Sequence, residues 1–255
     1  MRYIFLLIFL SVSILSVLSI PPYEAAGMVV FENPESYVNP FIYLALILGF
    51  TALIIFFARS KLLALLIHTI TFIAMVYVLI PFMDIFSIPF SALLTVMLIK
   101  KPNWLLMDFC AFLLSVGIAT MFGISLSPVP VVILLTVLAV YDFLSVYKTK
   151  HMISLADSIA KLNAPMLFVI PRGNERMMIG VGDIVMPAIL AVSAQKFLKA
   201  PEFFSIKLPA IATILGGFLG LFALIYIVER KGGAHAGLPF INFGAIAGFA
   251  LSMLI

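Results

Sequence analysis

Five titratable side chains sit in or beside stretches of this chain that are otherwise almost free of charge: His68, Asp84, Asp108, Asp142 and Asp183. Asp142 lies six positions before Lys148, and Asp183 lies seven after Arg176. If both stretches are helical, a rise of 1.5 Å per residue places each acid about 9 to 10 Å inside the same edge. Two carboxylates brought together in a low-dielectric site do not both ionise comfortably, and the stable form holds one proton between them. Such a pair is an acid and a base at one place. The ionised member can take a proton from a water while the protonated member polarises a carbonyl and later supports departure of an amine. The chemistry this suggests is aspartic peptide hydrolysis.

The local sequence around the second acid, Gly180-Val181-Gly182-Asp183-Ile184-Val185-Met186-Pro187, supports that idea. Gly180 and Gly182 remove side-chain bulk on the approach to the carboxylate, so another backbone or a water can come close. Pro187 cannot donate to the carbonyl of Asp183 four residues earlier, which predicts a bend there with a polar backbone group left free. Free backbone polarity at membrane depth is tolerated only against protein or a wet cavity, so water access at Asp183 is expected.

That the depth in question is membrane depth follows from composition. The 255 residues are 64% hydrophobic and 10% charged, against about a quarter charged in soluble chains. Mean hydropathy is +1.27, too apolar to coat a water-facing globule. The expected fold class is all-α: a polytopic membrane helix bundle with about nine transmembrane helices, forming one membrane-embedded domain over residues 1–255. With about 20 apolar residues needed per crossing, the spans fall at 3–20, 41–58, 62–80, 85–99, 104–122, 129–147, 177–195, 208–228 and 238–255. Residues 62–99 would make a helix of about 57 Å, so the chain must fold back at Pro81, Asp84 and Pro89. Gly123, Ser127, Pro128 and Pro130 supply the corresponding turn between spans five and six. Span one also resembles a secretory signal peptide, with Arg2 before it and Ala25, Ala26 and Gly27 after it; its length favours a retained helix.

The basic residues are divided unevenly between alternate loops. Twelve lie on one side: Arg2, Arg59, Lys61, Lys100, Lys101, Lys148, Lys150, Lys161, Arg172, Arg176, Arg230 and Lys231. Lys196, Lys199 and Lys207 lie on the other. The positive-inside bias then places the N-terminus and the 148–176 loop in the cytoplasm and the C-terminus outside, in a prokaryotic cell membrane. The net charge of +4 is spent on these loop clusters, so no nucleic-acid partner is expected, and the lipid bilayer is the expected surrounding. Small residues four apart, at Gly216 and Gly220 and at Gly244 and Gly248, point to close helix packing.

Tyr141-Asp142 in the sixth span and Gly-x-Gly-Asp at 180–183 in the seventh resemble the paired motifs of the presenilin and signal peptide peptidase family of intramembrane aspartyl proteases. The nine-span count agrees with that family's layout. Asp183-Ile184-Val185-Met186-Pro187 looks closer to the signal peptide peptidase branch, whereas the cytoplasmic N-terminus looks like presenilin, and the branch stays open. The resemblance implies that Asp142 and Asp183 are the catalytic pair, with Tyr141, Gly180, Gly182 and Pro187 supporting the site. It implies substrates that are transmembrane helices or signal peptides, cleaved within the bilayer. The family's Pro-Ala-Leu motif has its nearest match in Pro239-Phe240-Ile241, where Phe240 adds bulk. Substrate positioning and an ordinary helix start are equally good readings of Pro239. The 148–176 loop is much shorter than the self-cleaved presenilin loop, so no self-cleavage is expected. Within it, Met166 to Ile170 suits a strand that could pair with an unwound substrate, or an apolar loop at the interface.

Three other functions compete. A proton- or cation-coupled transporter would also keep carboxylates at one depth beside a broken helix. The prepilin peptidases share Gly-x-Gly-Asp but usually carry a lysine soon after the acid, where this chain has Ile184, Val185 and Met186. A noncatalytic scaffold could retain the acid pair for structure. Asp108 and His68 are expected to form a structural pair, or Asp108 to reach toward the interface near Trp104, and Asp84 to be solvated at a turn. His151 and His235 lack ligand spacing, so neither a metal nor any other cofactor is expected. No accessory subunit is required by the chemistry.

Overall fold

The computed structural model describes residues 3–57, 62–149, 164–172, 175–231 and 235–254. The expectations placed on His151, Lys150 and Lys161 in the 148–176 loop, and on Arg2, Arg59 and Lys61, lie outside the described residues.

The described residues form an all-α bundle. Its helices are α1 (Ile4–Leu18), the short α2 (Ile20–Ala25), α3 (Asn39–Phe57), α4 (Leu62–Met83), α5 (Ser87–Lys100), α6 (Trp104–Ser125), α7 (Pro128–Leu144), α8 (Val181–Phe197), α9 (Leu208–Lys231) and α10 (Leu238–Ser252). Leaving the six-residue α2 aside, nine helices among the described residues correspond one to one with the nine expected spans. Among the described residues, the stretches long and apolar enough to cross a bilayer are Leu62–Lys100, which holds both α4 and α5, Trp104–Ser125, Pro128–Tyr147 and Leu208–Arg230; Ile4–Leu18, Asn39–Ile54 and Leu238–Ser252 are shorter apolar helices.

Two turns differ in detail from the expectation. Pro81 does not break its helix, which continues to Met83; the reversal is made by Asp84, with a left-handed φ of 47°, and a 3-10 turn over Asp84–Phe86. Pro89 falls in the first turn of α5, where a missing amide costs nothing. Gly123 likewise stays helical. Its bare Cα admits the Val192 side chain of α8, so this glycine serves packing between α6 and α8, and the turn comes at Leu126 and Ser127.

The centre of the bundle is α8. Every residue from Ile184 to Ala194 is buried, which is the signature of a helix enclosed by others, and α1, α6, α7, α9 and α10 all pack on it. Its far end is tied by an ion pair between Lys196 and Glu24. That pairing puts the loop after span one and the loop after span seven at the same end, as strict alternation of spans requires. Helices α9 and α10 meet along the four glycines: a Cβ on Gly216 would run into the carbonyl of Gly244, and the reverse holds too.

The seventh span is the main correction. Residues 177–180 are not helical: they belong to a strand, β2 (Glu175–Gly180), paired antiparallel with β1 (Leu167–Arg172). Helix α8 therefore begins at Val181, and the helical depth arithmetic for Asp183 from Arg176 does not hold, because a strand rises about 3.3 Å per residue. A second two-stranded ladder, β3 (Glu202–Phe203) and β4 (Ile206–Lys207), closes the connection to α9.

Candidate active site

Asp183 occupies the third position of α8, after the N-cap Gly180. From there its carboxylate turns back and accepts the amide of Gly180. This is the reciprocal half of a capping box, in which an acid in the first turn satisfies a backbone donor that the helix cannot. The sequence Gly-x-Gly-Asp folds this way because Gly180 leaves room: a Cβ there would lie 3.2 Å from Asp183 Oδ2. Gly182 faces open space and is exposed. Asp183 itself is half-buried. Helix α8 continues through Pro187 to Phe197 as one element.

Asp142 lies near the end of α7 and is 6% exposed. Two backbone amides aim at its carboxylate, those of Gly237 and Leu238, the latter at 3.2 Å from Oδ2. These are the N-cap and first residues of α10. The first amides of any helix lack partners within it, and inside a membrane they must find an acceptor. Here the acceptor is Asp142. Asn242, one turn further along α10, donates to the carbonyl of Leu135 at 3.0 Å and so clamps α10 against α7 two turns above the acid. Just past Asp142 the chain loosens into a π-helical turn over Ser145–Thr149, a local widening often met at functional sites.

Gly237 joins the two acids. Its amide serves Asp142, while a Cβ at its Cα would lie 3.0 to 3.3 Å from the three carboxyl atoms of Asp183. The two carboxyl groups are close enough to interact electrostatically. Nearby, the hydroxyl of Tyr147 and Nδ1 of His235 are 3.1 Å apart, linking the π-turn to the segment that leads into Gly237.

The structure thus brings Asp142, Asp183 and Gly180 together. Tyr141 is half-buried and, one residue from Asp142 on a helix, points about 100° away from it. Pro239, Phe240 and Ile241, the expected motif match, directly follow the two residues whose amides reach Asp142. Pro239 is in the first turn of α10, and the backbone of Phe240 and Ile241 packs on Gly220 of α9. The contact with the acid is made two residues earlier, by Gly237 and Leu238. Their signal was a glycine at an N-cap and a proline just inside the helix, which marks free amides in need of an acceptor. Strand β2 had a signal too: Gly173-Asn174 fill a two-residue gap between Arg172 and Glu175, a hairpin spacing.

Asp108 and His68 do not form the expected pair. His68 Nδ1 lies 2.6 Å from the carbonyl of Ala64 on its own helix, and Asp108 Oδ1 accepts the amide of Val169 at 2.8 Å. The second contact changes the reading of the hairpin. In an antiparallel ladder, residue pairs alternate between exchanging hydrogen bonds and facing outward. Val169 pairs with Met178, and since its amide goes to Asp108, that pair is an outward-facing one. Pro171, two residues on, then has its missing donor on the outer side, where a proline is tolerated. On the edge where Met166–Ile170 was expected to pair with a substrate, the amide of Val169 is therefore already taken by Asp108 of α6. The same alternation turns the amides and carbonyls of Met178, Arg176 and Gly180 outward on β2, and among the described residues no strand lies beyond β2. Gly180's outward amide is the one held by Asp183. The acid stands at the end of the open edge.

A family model described as "Signal-peptide peptidase, presenilin aspartyl protease" matches residues 6–255. The chain belongs to that family. Its fold is similar to two solved structures, each described as a presenilin family intramembrane aspartate protease, one in space group C222 and one in P2. The first is 31% identical with a TM-score of 0.77, over 98% of this chain and 97% of that one. The second is 33% identical with a TM-score of 0.75, over 98% and 96%. Comparison with curated protein sequences gives no match. By family and fold this integral membrane protein is an intramembrane aspartic endopeptidase, and such a family implies substrates that cross the membrane. The transporter reading gains no support from these likenesses.

Proposed function

We propose that Asp142 and Asp183 are the catalytic dyad, holding one proton between them and hydrolysing a peptide bond of a membrane-spanning segment. What carries this reading is Gly237, which bonds one carboxylate with its amide and leaves its Cβ position free for the other. The ionised member removes a proton from a water as that water adds to the substrate carbonyl carbon. The protonated member gives its hydrogen to the carbonyl oxygen, producing a tetrahedral diol. Collapse of the diol breaks the C–N bond, the amine leaves with a proton, and the pair returns to its one-proton state. The exposed Gly182 and half-exposed Asp183 leave a way in for water. Residues 1–255 act as one membrane-embedded unit, without an obligatory partner subunit or cofactor.

The substrate is a transmembrane helix or a signal peptide remaining in the bilayer. It must unwind to be cut, and the open edge of β2 offers the backbone partners by which an extended segment can add as a third strand, ending at Asp183. The N-terminus faces the cytoplasm and the C-terminus the opposite side of a prokaryotic cell membrane; labelling of single cysteines introduced at residues 150 and 199 from each side of sealed vesicles tests this.

The deciding experiment is cleavage of a single-span peptide by the purified protein, comparing the parent with Asp142→Asn and Asp183→Asn and reading products by mass spectrometry. Loss in both variants with the folded state intact is the expected result. A variant that keeps most of its activity rules out the shared-proton dyad. Ion or solute flux in liposomes that vanishes with the same substitutions, with no cleavage by the parent, would favour the transporter instead.

A further inference from the structure

We propose that Asp108 is a positioning residue for substrate: by accepting the Val169 amide it fastens β1 to α6, closes that edge of the hairpin, and leaves β2 as the one edge a substrate strand can join. This rests on the strand-addition reading given under Proposed function.

The geometry carries it in three steps. First, Val169 is nearly fully buried, in the same apolar cluster as Met107, Cys110 and Leu114 of α6, so its amide has no water to turn to and needs a partner. Asp108 supplies one at 2.8 Å, and a bond to a charged acceptor is among the stronger kinds. Second, an unpaired strand edge is a template for any extended peptide. Without the carboxylate, β1 would compete with β2 for the substrate. A peptide on the β1 side would lie three strand spacings from one on the β2 side, about 14 Å, and out of reach of Asp183. Third, β2 leads without interruption into Val181, whose amide extends the ladder to the carbonyl of Met166 at 3.0 Å. Fixing β1 to α6 therefore fixes the start of α8 and the direction in which the open edge meets the acid. Asp108 touches neither substrate nor dyad in this account; it acts through the hairpin.

Steady-state cleavage of a single-span peptide tests the idea in four proteins: the parent, Asp108→Asn, Asp108→Leu and Val169→Pro. Asparagine keeps an acceptor oxygen and should stay within about threefold of the parent. Asp108→Leu should raise KM about tenfold or more, the scale of one lost bond to a charged group, with kcat changed much less. Val169→Pro removes the same bond from the other side without touching the β1–β2 ladder, so it should reproduce that KM. The double variant should be no worse than either single change. Additive effects, or an Asp108→Leu protein with the KM of the parent, would overturn the proposal. If Asp108→Leu does not fold, Val169→Pro against Asp108→Asn makes the same comparison. Hydrogen exchange provides an arm that needs no cleavage at all: the amides of 167–180 should exchange at least about tenfold faster in Asp108→Leu while α8 beyond Ile184 keeps its protection. Unchanged protection there overturns the anchoring even if the protein cleaves nothing, whereas failure of the parent to cleave any peptide, with hairpin exchange altered as expected, counts against the protease reading alone.

Discussion

Two sets of glycines in this protein do opposite things. Along α9 and α10, Gly216, Gly220, Gly244 and Gly248 let two backbones touch, and the space of each missing Cβ is filled by a carbonyl group or backbone of the facing helix. Around the acids, the space at Gly180 and Gly237 is filled by the carboxyl group of Asp183, and at Gly182 it is open. The seam is closed and regular, with glycines four apart on continuous helices. The site is irregular, built where a strand becomes a helix, where α10 starts, and where α7 loosens into a π-turn. In these two sets the difference lies in what occupies the empty Cβ position: backbone along the seam, the Asp183 carboxyl group or open space beside the acids.

Substitutions can break or sharpen that contrast. The largest effect is expected at the acids themselves, where Asp142→Asn and Asp183→Asn should each lower kcat by about 10²- to 10⁴-fold, the usual contribution of a general acid or base, with thermal unfolding little changed. Next comes Gly237→Ala. The added methyl would sit 3.0 Å from Asp183 Oδ2 and displace the carboxylate, so cleavage should fall about tenfold or more while the melting temperature holds. Gly216→Ala should do the reverse. Its methyl meets the backbone of Gly244, which cannot move aside as a side chain can, so a loss of stability of about 1 to 3 kcal/mol is expected in denaturant titration, with activity per folded molecule retained. If Gly237→Ala lowered stability and Gly216→Ala lowered only kcat, the distinction between seam and site would be wrong. A pH series should give a bell-shaped rate profile whose two limbs belong to the pair, since activity requires one proton shared between two groups; a single sigmoid would exclude that sharing. The smallest change is expected at Gly182→Ala, where the methyl meets nothing: stability should be unchanged or up to about 1 kcal/mol higher, and any loss should appear as a rise of a few-fold in KM for the peptide.

Much of the architecture was readable before any coordinates. Long apolar runs interrupted by charge show where helices must lie, because a bilayer requires every backbone group to be satisfied within its own segment. The two aspartates stood out because charge is costly at that depth. Other features depend on partners in the folded chain. Residues 177–180 are as apolar as any helix, and only their pairing with Leu167–Arg172 makes them a strand. Asp108 and His68 share a depth, yet each is satisfied by a carbonyl or amide that depth alone does not reveal. Pro239 to Ile241 were the nearest match to a motif, but the amides that reach Asp142 come from the residues just before them.

The sequence by itself determined the solvent of this protein and the nine long apolar segments that are helical among the described residues, and it singled out Asp142 and Asp183, since hydropathy and charge are properties of residues taken in order. Tertiary structure decided which amides hold which carboxylate, which glycines are seam and which are site, and which edge of the hairpin is open. Each of those depends on groups far apart in the chain, Gly237 with Asp142 and Asp183, Asp108 with Val169, and no local rule orders such partners until the bundle has closed around α8.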